Sequence, residues 1–206
     1  MSTPISLSGL LAIALAGLCV APAARANLVI NGDFEVPVVP QSPGYVCFQN
    51  TTLAGWTNSG TRDSCYIKQN TDVFGPAYSG SQYLYVNDFG DAGATASQAV
   101  SLTAGTTYVL SFAEGGAPDR NMNAGLSVSL GSFSTTIAPR APSWQVFSYL
   151  YTPSTSGSAT LSFTTTTRGI TVIDQVAVQA VPEPQTYALM LSGLLAFGVV
   201  ARQRRT

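Results

Sequence analysis

The stretch Ile170–Ala180 reads ITVIDQVAVQA. Val172, Val176 and Val178 fall near one face, around the acidic residue Asp174. β-Branched residues at this density suit a strand that rests half-buried on a pleated surface. Towards the N-terminus the same alternation recurs. In WQVFSYLYT (Trp144–Thr152), Trp144, Val146, Ser148 and Leu150 oppose Phe147, Tyr149 and Tyr151. Leu126, Val128 and Leu130 alternate with serines, and Tyr108, Leu110 and Phe112 share a face of TTYVLSFA. Gln98, Val100 and Leu102 share another, as do Leu161 and Phe163. In QYLYVN, Tyr83 and Tyr85 face one way while Leu84 and Val86 face the other. Residues 27–180 carry no helical period. About nine or ten short strands separated by turn residues predict an all-β, antiparallel sandwich. Their number and the long early loop suit a jelly roll better than a closed barrel.

The early part is less regular. NLVINGDFEV (Asn27–Val36) reads as a short strand, a turn at Asn31-Gly32 and a second extended piece. Pro37, Pro40 and Pro43 then bar a helix or a central strand. Gln41–Thr61 reads as a long loop. It contains Cys47, and Cys65 follows it; these are the two cysteines outside the first 26 residues. In an oxidising compartment an even pair is most simply one disulfide. Closing a loop of about 18 residues would contribute about 3 kcal/mol in the chain-entropy model.

The chain of 206 residues contains no histidine. That removes His-based triads, His metal ligands and His acid–base chemistry. Residues 27–181 carry nine acidic and five basic side chains, a net charge of −4 with no basic stripe. Nucleic acid is therefore not an expected partner. Glu114 and Asp119 are the one close carboxylate pair in a loop-like stretch, and the glycines and Asn121 around them read as a solvated turn. No G-x-S-x-G is present. A non-enzyme is the expectation.

Both ends read as targeting segments. Met1–Ala26 has a polar start, an apolar run from Leu10 to Val20 and the small-x-small site Ala24-Arg25-Ala26, as in a secretory signal peptide. Its first region lacks the usual Lys or Arg, and Leu18 before Cys19 does not suit a lipobox. At the other end stand Val181-Pro182-Glu183-Pro184, the uncharged run Tyr187 to Ala201, and Arg202, Arg204 and Arg205. As a helix the run spans about 22 Å, short against a hydrocarbon core of about 30 Å. The arginines should stay in the cytoplasm.

This tail resembles the PEP-CTERM sorting signal of bacterial exported proteins. The resemblance covers residues 181–206 and rests on the order Pro-Glu-Pro, apolar helix, basic end. It implies an exosortase that recognises and processes the precursor at or near the Pro-Glu-Pro. It also implies transient anchoring in the inner membrane by a single transmembrane helix, and a mature form at the cell surface or in an extracellular polysaccharide matrix. Residues 27–180 are similar to galactose-binding-like jelly rolls, which include carbohydrate-binding modules and DUF642-type domains. The matching motifs are Asn31-Gly32-Asp33-Phe34-Glu35, Gly55-Trp56 and Ile173-Asp174-Gln175-Val176-Ala177-Val178.

In the resembled modules a structural Ca²⁺ ties the two ends of the domain together. Carried over, Glu35 and Asp174 would supply carboxylates, and Gly32 and Ser81 carbonyls. The alternative is that the carboxylates bond backbone amides or an arginine. For a sugar, Tyr83, Tyr85 and Trp56 are candidate stacking platforms. Tyr45, Tyr66, Tyr78, Asn87, Asp88 and Arg120 are further candidates, while Trp56 and Trp144 read rather as core residues. The functional expectation is a structural or adhesive sandwich of a biofilm matrix, with a specific carbohydrate-binding module as the alternative.

Overall fold

The computed structural model describes residues 26–60, 63–68, 75–86, 92–116, 123–140 and 143–182. The expectations for residues 1–25, for Asn87, Asp88 and Arg120, and for Glu183, Pro184, Tyr187 to Ala201, Arg202, Arg204 and Arg205 lie outside them.

The described residues form twelve strands. They are β1 (Tyr45–Phe48), β2 (Thr52–Leu53), β3 (Trp56–Ser59), β4 (Ser64–Lys68), β5 (Gln82–Val86) and β6 (Thr95–Leu102), then β7 (Tyr108–Gly116), β8 (Leu126–Leu130), β9 (Phe133–Ile137), β10 (Gln145–Tyr151), β11 (Gly157–Thr165) and β12 (Thr171–Ala180). One sheet runs β1-β4-β5-β12-β7-β10 and the other β2-β3-β6-β11-β8-β9. All ladders within them are antiparallel. The all-β sandwich expected from the alternation is the observed architecture.

Side chains that alternate inward fill the space between the sheets. Phe34, Trp56, Phe163 and Phe112 form a continuous aromatic band, with centroid separations of 5.4, 6.0 and 5.1 Å along it. Leu84, Leu110, Leu126, Leu130 and Leu161 pack around it, all fully buried.

The opposite face of the second sheet is built of hydroxyls. Thr52, Thr57, Ser97, Ser162, Ser129 and Ser134 stand in register, one from each of its six strands. Alongside runs a second row: Ser59, Thr95, Thr164, Ser127 and Thr136. Neighbouring hydroxyls bond across strands, Thr95 to Thr164 at 2.8 Å and Ser129 to Ser162 at 2.7 Å. No strand of this sheet contains Asp, Glu, Lys or Arg.

The early part departs from expectation in two ways. Residues 27–36 form turns rather than strands, with Asn31 and Phe34 at positive φ. The segment nevertheless pairs with β12. Leu28 N–H donates to Val178 O at 2.9 Å, and Val176 N–H donates to Gly32 O at 2.7 Å. The Asn27 amide imitates a peptide group, accepting from Val178 N–H and donating to Val176 O, each at 3.0 Å. Second, the expected loop 41–61 holds three short strands. Its disulfide joins Cys47 and Cys65 as directly opposed residues of β1 and β4.

Candidate functional site

Two carboxylates and one turn organise the outward face of the first sheet. β12 carries a bulge between Asp174 and Ala177, with Gln175 at φ 50°. The bulge re-aims the strand locally. Asp174, fully buried, accepts from Ser79 N–H at 2.9 Å through Oδ2 and from Gln175 N–H at 2.7 Å through Oδ1. Glu35 arrives from the N-terminal segment. Its Oε1 accepts from the backbone amides of Ser81 and Gln82 at 2.6 and 2.9 Å, and its Oε2 from the Ser81 hydroxyl at 2.8 Å. Gly80 lies between them, where a Cβ would stand 2.3 Å from Glu35 Oε1. Its φ of 64° also favours glycine. The clasp therefore holds the 79–82 turn from two sides, and it needs the glycine at its centre.

Burial pushes the Asp174 carboxyl up to about 7, while the amides of Ser79, Gln175 and Tyr78 pull it down and the nearby Glu35 charge raises it further. The structure brings Glu35, Ser81 and Asp174 together around this turn. Gly32 instead sits against the β12 bulge, where a Cβ would lie 2.0 Å from Val176 O. Both carboxylates bond backbone amides, and Glu35 a hydroxyl as well, as the alternative reading has it, so a hard cation such as Ca²⁺ would have to share these oxygens. Among the described residues no cluster of three or more His, Cys, Asp or Glu is present. Carbonyls and water would have to complete the shell.

Tyr78, just before this turn, and Trp144, just before β10, form an aromatic pair. Trp144 Nε1 donates to Pro76 O at 2.9 Å. Its indole rests on Gly115, where a Cβ would meet the ring at 3.2 Å, and it meets Tyr83 edge-on at 5.7 Å. Tyr78 stands 6.1 Å from it and is 46% exposed. Along β10 the outward side chains continue with Val146 and Leu150, 52% and 68% exposed.

These placements correct the sequence reading of the sugar platforms. Trp56 is 0% exposed, in the core, as its alternative reading had it. Tyr83 and Tyr85 do face away from Leu84 and Val86, yet they are 1% and 4% exposed. Ala77 and Trp144 pack over them with Ile67, Val172 and the disulfide, forming a second small core outside the sheet. None of the three can present a ring face to a sugar. Trp144, expected in the core, is half-buried at the surface. Glu114 is not in a solvated turn: β7 runs on to Gly116 and turns the side chain inward. There it pairs with Arg140 and accepts from the Thr171 hydroxyl at 3.2 Å. Sequence reasoning also missed two buried glutamines. Gln82 holds Phe34 O and Val39 N–H, and Gln98 holds both backbone groups of Ile30 and the carbonyl of Gly55. Their only sequence signal is a polar residue at an inward position of a strand.

A model of the family described as a protein of unknown function (DUF642) matches residues 27–179. A model of the PEP-CTERM protein-sorting motif matches residues 180–205. A search of curated proteins gave no match. Among solved structures, TmCBM61 in complex with beta-1,4-galactotriose is similar at 16% identity and a TM-score of 0.53, over 76% of this chain and 99% of that one. Family 16 Carbohydrate Binding Module-2 is similar at 16% identity and a TM-score of 0.45, over 74% and 99%. The C-terminal family 22 carbohydrate binding module of Clostridium thermocellum Xyn10B is similar at 18% identity and a TM-score of 0.46, over 70% and 100%. At such identities the likeness to TmCBM61 is one of fold, a jelly-roll sandwich.

Proposed function

The chain belongs to the DUF642 family, and on that premise we propose that it is an exported, non-catalytic sandwich that adheres to glycans of an extracellular polysaccharide or biofilm matrix. The observation that carries this reading is the pair of exposed Tyr78 and half-buried Trp144, with the exposed Val146 two residues on, on the outward face of the first sheet. Aromatic rings with apolar neighbours and few charges suit a sugar ring, whose C–H faces stack while its hydroxyls bond at the margin. The non-catalytic reading rests on the carboxylates. Asp174 reaches no solvent, and Glu114 is tied to Arg140. Neither is placed as half of the carboxylate pair that glycoside hydrolysis requires.

Delivery would follow from the sorting motif at 180–205. In this reading residues 1–26 are a signal peptide, 27–180 the sandwich and 181–206 the sorting signal, which anchors the precursor in the inner membrane until an exosortase processes it. Ca²⁺ held by Glu35 and Asp174 would brace the 79–82 turn and, through it, Tyr78.

The test is affinity electrophoresis of the full chain in gels that contain neutral polysaccharides. Retardation by at least one glycan, reduced about tenfold in Tyr78→Ala with unchanged melting temperature and in Trp144→Ala at a temperature where that variant stays folded, supports the proposal. Equal retardation of wild type and both variants would remove these residues from the contact.

A further inference from the structure

A cavity of about 400 Å³ opens at one end of the second sheet, between the β8–β9 turn and the connection from β10 to β11. Ser129, Ser132, Ser158 and Thr160 bring hydroxyls to its wall, and Leu102 and Pro153 bring apolar surface. Among the described residues no charged side chain lines it. Tyr151 closes one side, its hydroxyl 3.2 Å from the Ser132 hydroxyl. Ser129 also belongs to the six-strand hydroxyl row, so the cavity wall runs on without a break into that face.

We propose that this cavity and the hydroxyl row leading from it form a second glycan-contact surface, one that takes a neutral polysaccharide chain. The ligand class follows from the chemistry of the wall. A uronate, phosphate or amino sugar would give up hydration here and meet no opposite charge. A neutral sugar exchanges hydroxyl for hydroxyl. Each Ser or Thr offers one donor and two acceptor positions, so the cross-strand pairs Ser129–Ser162 and Thr95–Thr164 keep bonding capacity for a ligand. A cavity in the usual range for ligand sites, about 300–1,000 Å³, admits the end of a chain. The row provides a regular track for its continuation, with strands about 4.8 Å apart. The inference takes its ligand class from the glycan-binding reading above. It lies on the other sheet, so the two can fail separately.

The experiment is calorimetric titration of the full chain, in mild detergent, with xylan, galactan and the polyanion alginate at low and high salt. The variants are Ser158→Arg and Thr160→Arg, both at exposed positions, with Trp144→Ala for the other sheet. We expect xylan or galactan to bind independently of salt and alginate not to bind, because no ionic contact is there to be screened. Each arginine should weaken the neutral glycan about tenfold or more at unchanged melting temperature, by setting an unpaired charge against it. Full affinity in both arginine variants, with loss only in Trp144→Ala, would overturn the second surface and leave the first. Salt-sensitive binding of alginate would overturn the neutral class. Failure of the wild type to bind either neutral glycan would overturn both readings.

Discussion

At Asp174 a single proton reports on the clasp. Burial and the Glu35 charge raise its carboxyl from an ordinary 3.8 to about 7. A raised carboxyl contributes stability that is fully present below the unfolded value and is lost as pH rises through the folded one. In chelator, therefore, the melting temperature should fall between about pH 4 and pH 8, and Asp174→Asn should flatten that slope. Saturating Ca²⁺ should remove the fall as well, because the cation favours the ionised pair. A wild-type profile in chelator as flat as that of the variant would contradict the account of Asp174. An unchanged profile on adding Ca²⁺ would dispose of the cation. Glu35 and Asp174 were legible in the sequence because charged residues are scarce and these two stand in its opening and closing motifs. Trp144, Tyr83 and Tyr85 were not. Alternation assigns a side chain to a face, and cannot say that residues 75–78 fold over that face.

Among the elements, the N-terminal segment is the most revealing. NLVINGDFEV has the alternation of a strand, yet it forms turns that reach β12 through Asn27, Leu28 and Gly32. The bulge in β12 makes room for Gly32, and Gln82 and Gln98 supply the hydrogen bonds that a paired strand would have supplied. Local pattern could not show this, because the partners lie far along the chain. Gly32→Ala should lower stability by about 1–3 kcal/mol or more, since its new methyl meets the rigid backbone of Val176. The midpoint of urea unfolding reads this directly. A midpoint equal to wild type would show that the segment is only loosely seated. The disulfide was legible from the count of cysteines and the compartment. That it spans adjacent strands was not, because β1 falls within a stretch of turn-forming residues.

For the whole molecule, the jelly roll could be read from strand alternation because each inward face had to be apolar. The order of strands within the two sheets could not, since it is set by crossovers between distant segments such as β5, β12 and β7. The hydroxyl rows emerge only when that order is known: serines and threonines spaced along six strands become one surface. The sorting motif belongs to this scale too. The mature surface form should lack Arg202, Arg204 and Arg205, and intact-mass measurement would read their loss. A mass that includes Thr206 in that form would count against processing.

The central claim, that the first sheet presents an aromatic contact for glycan, is open to one direct measurement. The chain has two tryptophans. Trp56 is sealed in the core, so acrylamide quenching of indole fluorescence reports on Trp144. Saturating neutral polysaccharide should protect that emission from acrylamide in the wild type, with no protectable signal left in Trp144→Ala. Quenching that stays the same with and without every bound polysaccharide would contradict the claim.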